Sequence, residues 1–337
     1  MALRTRAVVE PVAAIIILVL LAGWLIWNLA ESPSQFFQSG IDGLSNGVLY
    51  ALIALGYTLV YGIIELINFA HGDLFMLGTL FSGYLVTTVL GLHKSNVEGW
   101  LGFALTLIAA MAFCGVINVT IEFLAYRRLR RAPKLAPLIT AVGMSFILQQ
   151  VGLRWNGSTQ RQWPSVLPAG QFSVGSINID RSFPVVVIVT AGLLAIMTWV
   201  VTTTRAGKAM RATAQDQDAA RLMGINVNRT ISFTFAMGGA LAGAAGLMYQ
   251  QTVGTTRYDA GFQLGLIAFT AAVLGGIGNL TGAVLGGLLI GVIQGFNDGL
   301  PHGLGQQWSQ TVVFSVLILV MVFKPTGLLG QTVGEKV

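Results

Sequence analysis

Residues 65–78 read ELINFAHGDLFMLG, and they set Glu65, Asn68, His71 and Asp73 inside a run that is otherwise apolar from residue 42 to residue 91. A helix crosses the ~30 Å hydrocarbon core of a bilayer with about 20 residues. The run is about twice that length, so it must turn, and the polar cluster marks the turn. His71 and Gly72 break the apolar pattern. Asp73 is placed to cap the next helix by accepting from its first free backbone N–H groups, and Glu65 falls in the last turn of the helix before. Ionisable groups at membrane depth are costly and usually face protein or water, which makes the cluster a functional candidate. A turn at the interface would instead leave Asp73 a cap and His71 a headgroup-level side chain. The residues alone leave both readings open.

The rest of the chain has the same character. Of 337 residues, 54% are hydrophobic and 9% charged, with a mean hydropathy of +0.74. That is too little polar surface to cover a soluble globule of this size. Apolar runs begin near Pro11, Gly43, Asp73, Trp100, Leu135, Pro184, Ile231, Phe262, Thr281 and Ser309. They predict an all-α integral membrane protein, a polytopic helical bundle of about 8–10 membrane elements, some short or re-entrant. The first run, residues 12–30, follows Arg4 and Arg6 and lacks a small-x-small cleavage site. It reads as an uncleaved span with Trp24 and Trp27 near its outer end.

A net charge of +6 would suggest a nucleic-acid partner in a soluble protein. With the amino terminus inside and the elements alternating, however, Arg4, Arg6, Arg127, Arg128, Arg130, Arg131, Lys134, Arg205, Lys208, Arg211, Arg221, Arg229, Lys324 and Lys336 are cytoplasmic. Only Lys94, Arg154, Arg161, Arg181 and Arg257 fall outside. This is the cytoplasmic excess of basic residues that orients membrane proteins, so the lipid bilayer accounts for the charge and no nucleic acid is needed. Both termini then face the cytoplasm. Cys114, the sole cysteine, lies in an apolar span, which excludes an intrachain disulfide and suits core packing.

No low-complexity linker divides the chain, so residues 1–337 read as a single transmembrane domain. Residues 126–134, YRRLRRAPK, form a basic inner turn. The extracytoplasmic loop, residues 154–182, alternates Phe172, Val174, Ile177 and Ile179 around Gly175 and Ser176, which predicts a small hairpin serving as a cap or a docking surface. Residues 205–229, RAGKAMRATAQDQDAARLMGINVNR, are too polar to cross lipid. They are rich in helix formers from Lys208 to Met223 and stop at Gly224, followed by Asn226, so they read as a cytoplasmic helix between two spans.

A second break falls in LGGIGNLTGAVLGG, residues 274–287, at Gly278 and Asn279. Paired glycine-interrupted helices in two halves of a transporter point to the solute path, because their ends offer unpaired backbone groups. The path candidates are therefore Asn68, His71, Gly72, Asp73, Asn279, Thr281, Gly282 and Gln294, with Asn297 nearby. Gln294 and Asn297 are equally suited to interhelical hydrogen bonding. Gly239 and Gly243, Ala242 and Gly246, Gly282 and Gly286, and Gly287, Gly291 and Gly295 recur at one-turn spacing, a pattern of close helix packing before it is one of solute contact.

Some chemistry is missing. No GxxxxGK[ST] phosphate loop occurs, so this chain does not hold ATP in that cradle. His71, His93 and His302 have no metal-ligand spacing, and there is neither a nucleophile elbow nor a paired-carboxylate site. No catalytic or metal residue is assigned.

GLSNGVLYALIALGYTLVYGIIELINFAHGDLFMLG, residues 43–78, and RATAQDQDAARLMGINVNRTISFTFAMGGALAGAAG, residues 211–246, resemble the permease subunits of ABC importers for branched-chain amino acids. The resemblance runs over residues 39–327. Glu65 departs from the family, in which a small or uncharged residue is more usual there. The resemblance implies a bacterial plasma (inner) membrane subunit that pairs with a second permease, similar or a copy of itself. It also implies a periplasmic or extracellular substrate-binding protein and two cytoplasmic ATPase subunits. ATP and Mg2+ would sit on those ATPase subunits, with no cofactor in this chain. The segment matching residues 214–226 acts in the family as the coupling helix, seated in a groove of the ATPase. The expected coupling residues are Arg211, Ala214, Asp216, Asp218, Ala219, Ala220, Arg221, Gly224, Ile225 and Asn226. Asp216, Asp218 and Arg221 would give polar edges, and Ala219, Ala220, Leu222 and Met223 a small apolar face. An interfacial helix resting on anionic lipid is the plainer reading of Arg205, Lys208 and Arg211. The competing functions are an ion-coupled carrier using Glu65 or Asp73 and a passive channel for small polar solutes such as urea or amides.

Overall fold

The structure, a computed structural model, describes residues 2–65, 68–91, 99–130, 132–133, 135–167 and 170–330. His93, Lys94, Arg131, Lys134, Pro168 and Lys336 lie outside them, as do the side chains of Arg4 and Arg6. The long helices are α1 (Ala2–Glu31), α2 (Pro33–Ile64), α3 (Ala70–Tyr84, continued by a π-helical stretch Leu85–Val89) and α4 (Gly99–Ile121, continued by a π-helical stretch Glu122–Tyr126). The short α5 (Arg127–Leu129) precedes α6 (Leu135–Asn156) and α7 (Ser182–Thr203). Two polar helices follow, α8 (Arg205–Gln215) and α9 (Gln217–Leu222), and then α10 (Val227–Thr252), α11 (Ala260–Gly275), α12 (Leu280–Gly299) and α13 (Ser309–Phe323).

Among the described residues, 8 helices are long and apolar enough to cross a membrane, and Val19–Glu31 of α1 and the whole of α11 are shorter apolar pieces. The chain is thus a polytopic helical membrane protein, and its helices start close to the predicted onsets. The largest shift is in α2, which begins at Pro33 rather than near Gly43. Proline at the first turn is compatible with a helix because the N–H it lacks would be unpaired there. α11 has 16 residues, about 24 Å at 1.5 Å per residue and short of a full crossing.

α2 and α10 form the centre, with 83% and 78% of their apolar windows buried, whereas α7 and α13 bury only 22% and 11%. The peripheral helices therefore face lipid or a partner. Small residues let the central helices touch. A methyl group on Gly291 would overlap the backbone of Gly47 and Gly43 on α2, and one on Gly243 would overlap Ala110 on α4. The recurring glycines of the second half thus serve helix packing. Cys114 is buried, with its Sγ 3.5 Å from the Leu74 carbonyl oxygen.

Two contacts tie distant loops together at one end. β1 (Arg161–Gln162) pairs antiparallel with β4 (Thr255–Thr256), and the Trp163 N–H donates to the Gly254 carbonyl at 2.8 Å. Gln251 accepts from the Val166 and Leu167 N–H groups, so the first half of the outer loop caps α10. Its second half is the expected hairpin, β2 (Gln171–Val174) with β3 (Ile177–Asp180), where Phe172 is half exposed. At the opposite end, Ala214 to Gln217 line a cleft with Ile63, Ile64 and Glu65, and residues 277–281 meet Thr198, Val201 and Thr202 of α7. Both sequence breaks therefore lie toward the same end of the bundle as the polar helices.

Candidate functional site

α2 ends where Glu65 turns into the left-handed region, φ 52°, with its N–H bonded to the Tyr61 carbonyl at 2.8 Å. It is the one non-glycine residue with positive φ among those described, and such a conformation terminates a helix sharply. Glu65 is therefore the cap of α2, just past its last turn. Asn68 and Phe69 carry the chain round, and α3 starts at Ala70.

The structure corrects two readings of this turn. Asp73 does not cap α3; it lies inside the first turn, wholly buried, and its Oδ2 accepts the Ser145 hydroxyl of α6. His71 is not at headgroup level. It is 1% exposed, its ring lies edge-on to Tyr57 with centroids 4.7 Å apart, and it fills the space that a side chain at Gly56 would need. Gly56 stands eight residues before the end of α2 at Ile64, about 12 Å up the helix axis. Gly238 of α10, beside the same glycine, lies eleven residues from its helix start at Val227, about 16 Å in. α3 therefore begins well inside the bundle, about 12–16 Å from those two helix ends.

This gives a buried polar cluster, the chamber, at the start of α3: His71 faces α2, Gly72 faces α11 and Asp73 faces α6. Asn68 Oδ1 accepts the Tyr126 hydroxyl at 2.8 Å, while its Nδ2, the Asp73 Oδ1 and both His71 ring nitrogens make no hydrogen bond, although the Ile53 carbonyl faces the imidazole. Gln149 donates to Ser145 at 3.3 Å and completes the wall. Unpaired buried polar atoms are expensive, and inside a membrane domain they mark functional ground. Gly72 has no room for a side chain, since a methyl group there would overlap the Gly261 carbonyl of α11.

The other path candidates are not in this chamber. Asn279 caps α12 by accepting from the Gly282 N–H at 3.0 Å and donates to the Leu329 carbonyl at 2.9 Å. Gly282 packs on Gly275, and Thr281 is exposed at the cleft beside α7. Gln294 accepts the Tyr50 hydroxyl at 2.8 Å, fourteen residues before the end of α2. The candidates thus occupy three heights: the end of the bundle that carries the polar helices, the middle, and the half toward the hairpin.

Residues the sequence reading did not assign surround the chamber. Tyr126, Ser145 and Gln149 reach it from α4 and α6, and nothing in their local pattern marks them. Glu122 did leave a signal, a carboxylate at the end of an apolar run. It is fully buried, accepts from Arg127 Nη2 at 3.0 Å and Ser232 Oγ at 2.7 Å, and pairs with Arg130, whose Nη1 donates to Asn228 at 2.7 Å. The π-helical turn Glu122–Tyr126 aims Glu122 at α10 and Tyr126 at Asn68.

The polar segment after α7 is two helices rather than the single one expected. Asp216, extended at φ −155°, breaks it and caps α9 by accepting from the Asp218 and Ala219 N–H groups at 2.8 and 3.0 Å. Thr204 caps α8, Asn226 caps α10, and Gly224 exits α9 at φ 81°. Every joint of this lever is therefore fixed by a side-chain cap or a left-handed glycine. Asp218 and Arg221 pair at 2.6 Å. The expected apolar face is split: Ala220 is buried, and Ala219, Leu222 and Met223 face outward, the last two 89% and 82% exposed; the other expected coupling residues Ala214 and Ile225 are half-buried. Arg211 turns back to the Val201 carbonyl at the end of α7.

A family model described as branched-chain amino acid transport system / permease component matches residues 40–322. The high-affinity branched-chain amino acid transport system permease protein BraD of Pseudomonas aeruginosa is 40% identical over 309 residues, covering 90% of this chain and 98% of that protein. The corresponding permease protein LivH of Escherichia coli K12 is 38% identical over 314 residues, 92% of this chain and 100% of its own. The xylose transport system permease protein XylH of the same organism is 26% identical, covering 92% of this chain and 89% of that protein. No solved structure matches the chain. A helical membrane domain with a capped polar lever, matched over most of its length, thus belongs to the permease component family of branched-chain amino acid transport systems.

Proposed function

We propose that the chain is the translocating subunit of an ATP-driven importer in a bacterial inner membrane and moves branched-chain or other small amino acids from an external binding protein to the cytoplasm. It works with a second permease, similar or a copy of itself, and with two cytoplasmic ATPase subunits that carry the ATP and Mg2+. Both termini are cytoplasmic. The observation that carries this reading is the exposed pair Leu222 and Met223 at the tip of the capped α9. An apolar tip on a rigid polar lever suits a groove in a separate protein.

The chamber supplies the path. An amino acid has an ammonium, a carboxylate and, in this class, an apolar side chain. The free Asp73 Oδ1 complements the ammonium, and the N-terminus of α3 complements the carboxylate through its unpaired N–H groups and helix dipole. The Tyr57 ring beside His71 suits the side chain. The chamber is enclosed in this conformation, so passage requires α3 to move against α2 and α11. The ATPases closing on α9 supply that motion through α10 and the Glu122 network.

The test is co-purification with the ATPase subunits and ATP-dependent uptake in vesicles. Replacing Ala219 and Gly224 by Leu abolishes both while membrane insertion survives. ATPase association and uptake that persist in that variant rule out the coupling assignment.

A further inference from the structure

A cleft of about 520 Å3 opens between α5 and α9, lined by Arg127, Arg128, Arg130 and Arg221 with Gln217, Asp218 and Asn228. Among the described residues, Glu122 pairs with Arg127 and Arg130, and Asp218 pairs with Arg221. Arg128 has no ionic partner among the described residues. Burial pulls the Arg130 guanidinium below its ordinary pKa; Glu122 opposes this, and the neighbouring Arg127 and Arg221 add to it. The cleft therefore holds more positive charge than its own acids neutralise.

Its position selects the kind of anion. Arg127 lies over the Phe123 ring, 4.8 Å from the centroid, and Phe123 and Leu124 are 54% and 59% exposed on the flank of a membrane-spanning helix. The cationic cleft thus opens beside an apolar helix flank, and Arg127, which lines the cleft, lies against that flank. A free cytosolic anion has no use for the apolar flank. We propose that this cleft binds the phosphate headgroup of an anionic membrane phospholipid, gripped by the arginines of α5 and α9. The planar guanidinium matches phosphate oxygens two at a time, and basic pockets between helices on the cytoplasmic side are the expected place for such headgroups. The bound phosphate bridges the basic turn to the lever and holds α9 in register with the Glu122 network.

The experiment is native mass spectrometry of the purified full chain, counting adducts as phosphatidylglycerol, phosphatidylcholine or inorganic phosphate is added. Phosphatidylglycerol binds in preference to phosphatidylcholine, and Arg128→Gln and Arg130→Gln each weaken it tenfold or more. Arg229→Gln, an exposed residue on α10 that does not line the cleft, leaves it unchanged. Arg128 is exposed, so its variant folds and carries the test even if the half-buried Arg130 variant fails to insert. Equal phosphatidylglycerol retention by wild type and Arg128→Gln overturns the proposal, as does an equal loss in Arg229→Gln or an equal affinity for phosphatidylcholine. Inorganic phosphate that displaces the lipid at matching concentration assigns the cleft to free phosphate and overturns the lipid assignment.

Discussion

Glu122 shows what one residue sets in this molecule. A lone carboxylate without water or a partner is untenable, and here two arginines and the Ser232 hydroxyl satisfy it. Glu122→Gln leaves both guanidinium groups facing each other across a neutral amide. The expected cost is about 3–5 kcal/mol, read as a lower melting midpoint of the purified chain in detergent. An unchanged midpoint would show that the arginines find other partners and that the carboxylate does not hold α4 to α10. Asp73 is a different case, since Ser145 satisfies one of its oxygens and leaves the other open. Its polarity was legible in the sequence, but its role was not. A short acidic side chain in the first turn of a helix is the ordinary signature of a cap, and only the packing of α6 against α3 turns it inward.

Among the elements, the two interrupted regions differ in a way that sequence spacing conceals. The α11–α12 turn at Gly278 and Asn279 reads as a turn and is one, closed by the Asn279 cap at the inner face. The turn before α3 reads a few residues late in the sequence: His71 and Gly72 are already helical, and α3 starts well inside the bundle. A one-dimensional pattern records where a helix breaks, not how high the next one starts. The division of the lever at Asp216 was equally hidden. Residues 208–223 are rich in helix formers, and the break comes from the Asp216 side chain, which bonds to the backbone two and three residues on. The single hydrogen bond from Tyr126 to Asn68 connects the end of α4 to the turn before α3. Tyr126→Phe removes only that hydroxyl, at about 1 kcal/mol. ATP hydrolysis by the assembled transporter should persist while uptake falls several-fold, since the lever then moves without drawing the turn along. Parallel loss of hydrolysis and uptake, or retention of both, would show that motion reaches the chamber by another route.

For the whole molecule, the decisive property is that the polar groups at the start of α3 are buried. Composition alone made the membrane assignment legible, because 9% charged residues do not cover a soluble chain of this length. Basic residues placed the polar segments on one face. Neither reveals which surfaces meet other subunits, since a lipid-facing helix and a partner-facing one are built from the same residues. The ion-coupled and channel alternatives differ from the importer at this scale. The purified chain alone in vesicles is expected to show neither solute accumulation under an ion gradient nor passive conductance, and accumulation should appear only with ATPase subunits and ATP inside. Gradient-driven accumulation by the lone chain would favour a carrier using Asp73 or Glu65.

Cys114 has a practical consequence beyond its packing against Leu74. It is the sole thiol in the sequence and is sealed under α3 and α10, so the native chain offers membrane-impermeant maleimides almost nothing to react with. Single cysteines introduced into the hairpin at Phe172 or the lever tip at Met223 would report their compartment against a dark background, with no need for a cysteine-free variant.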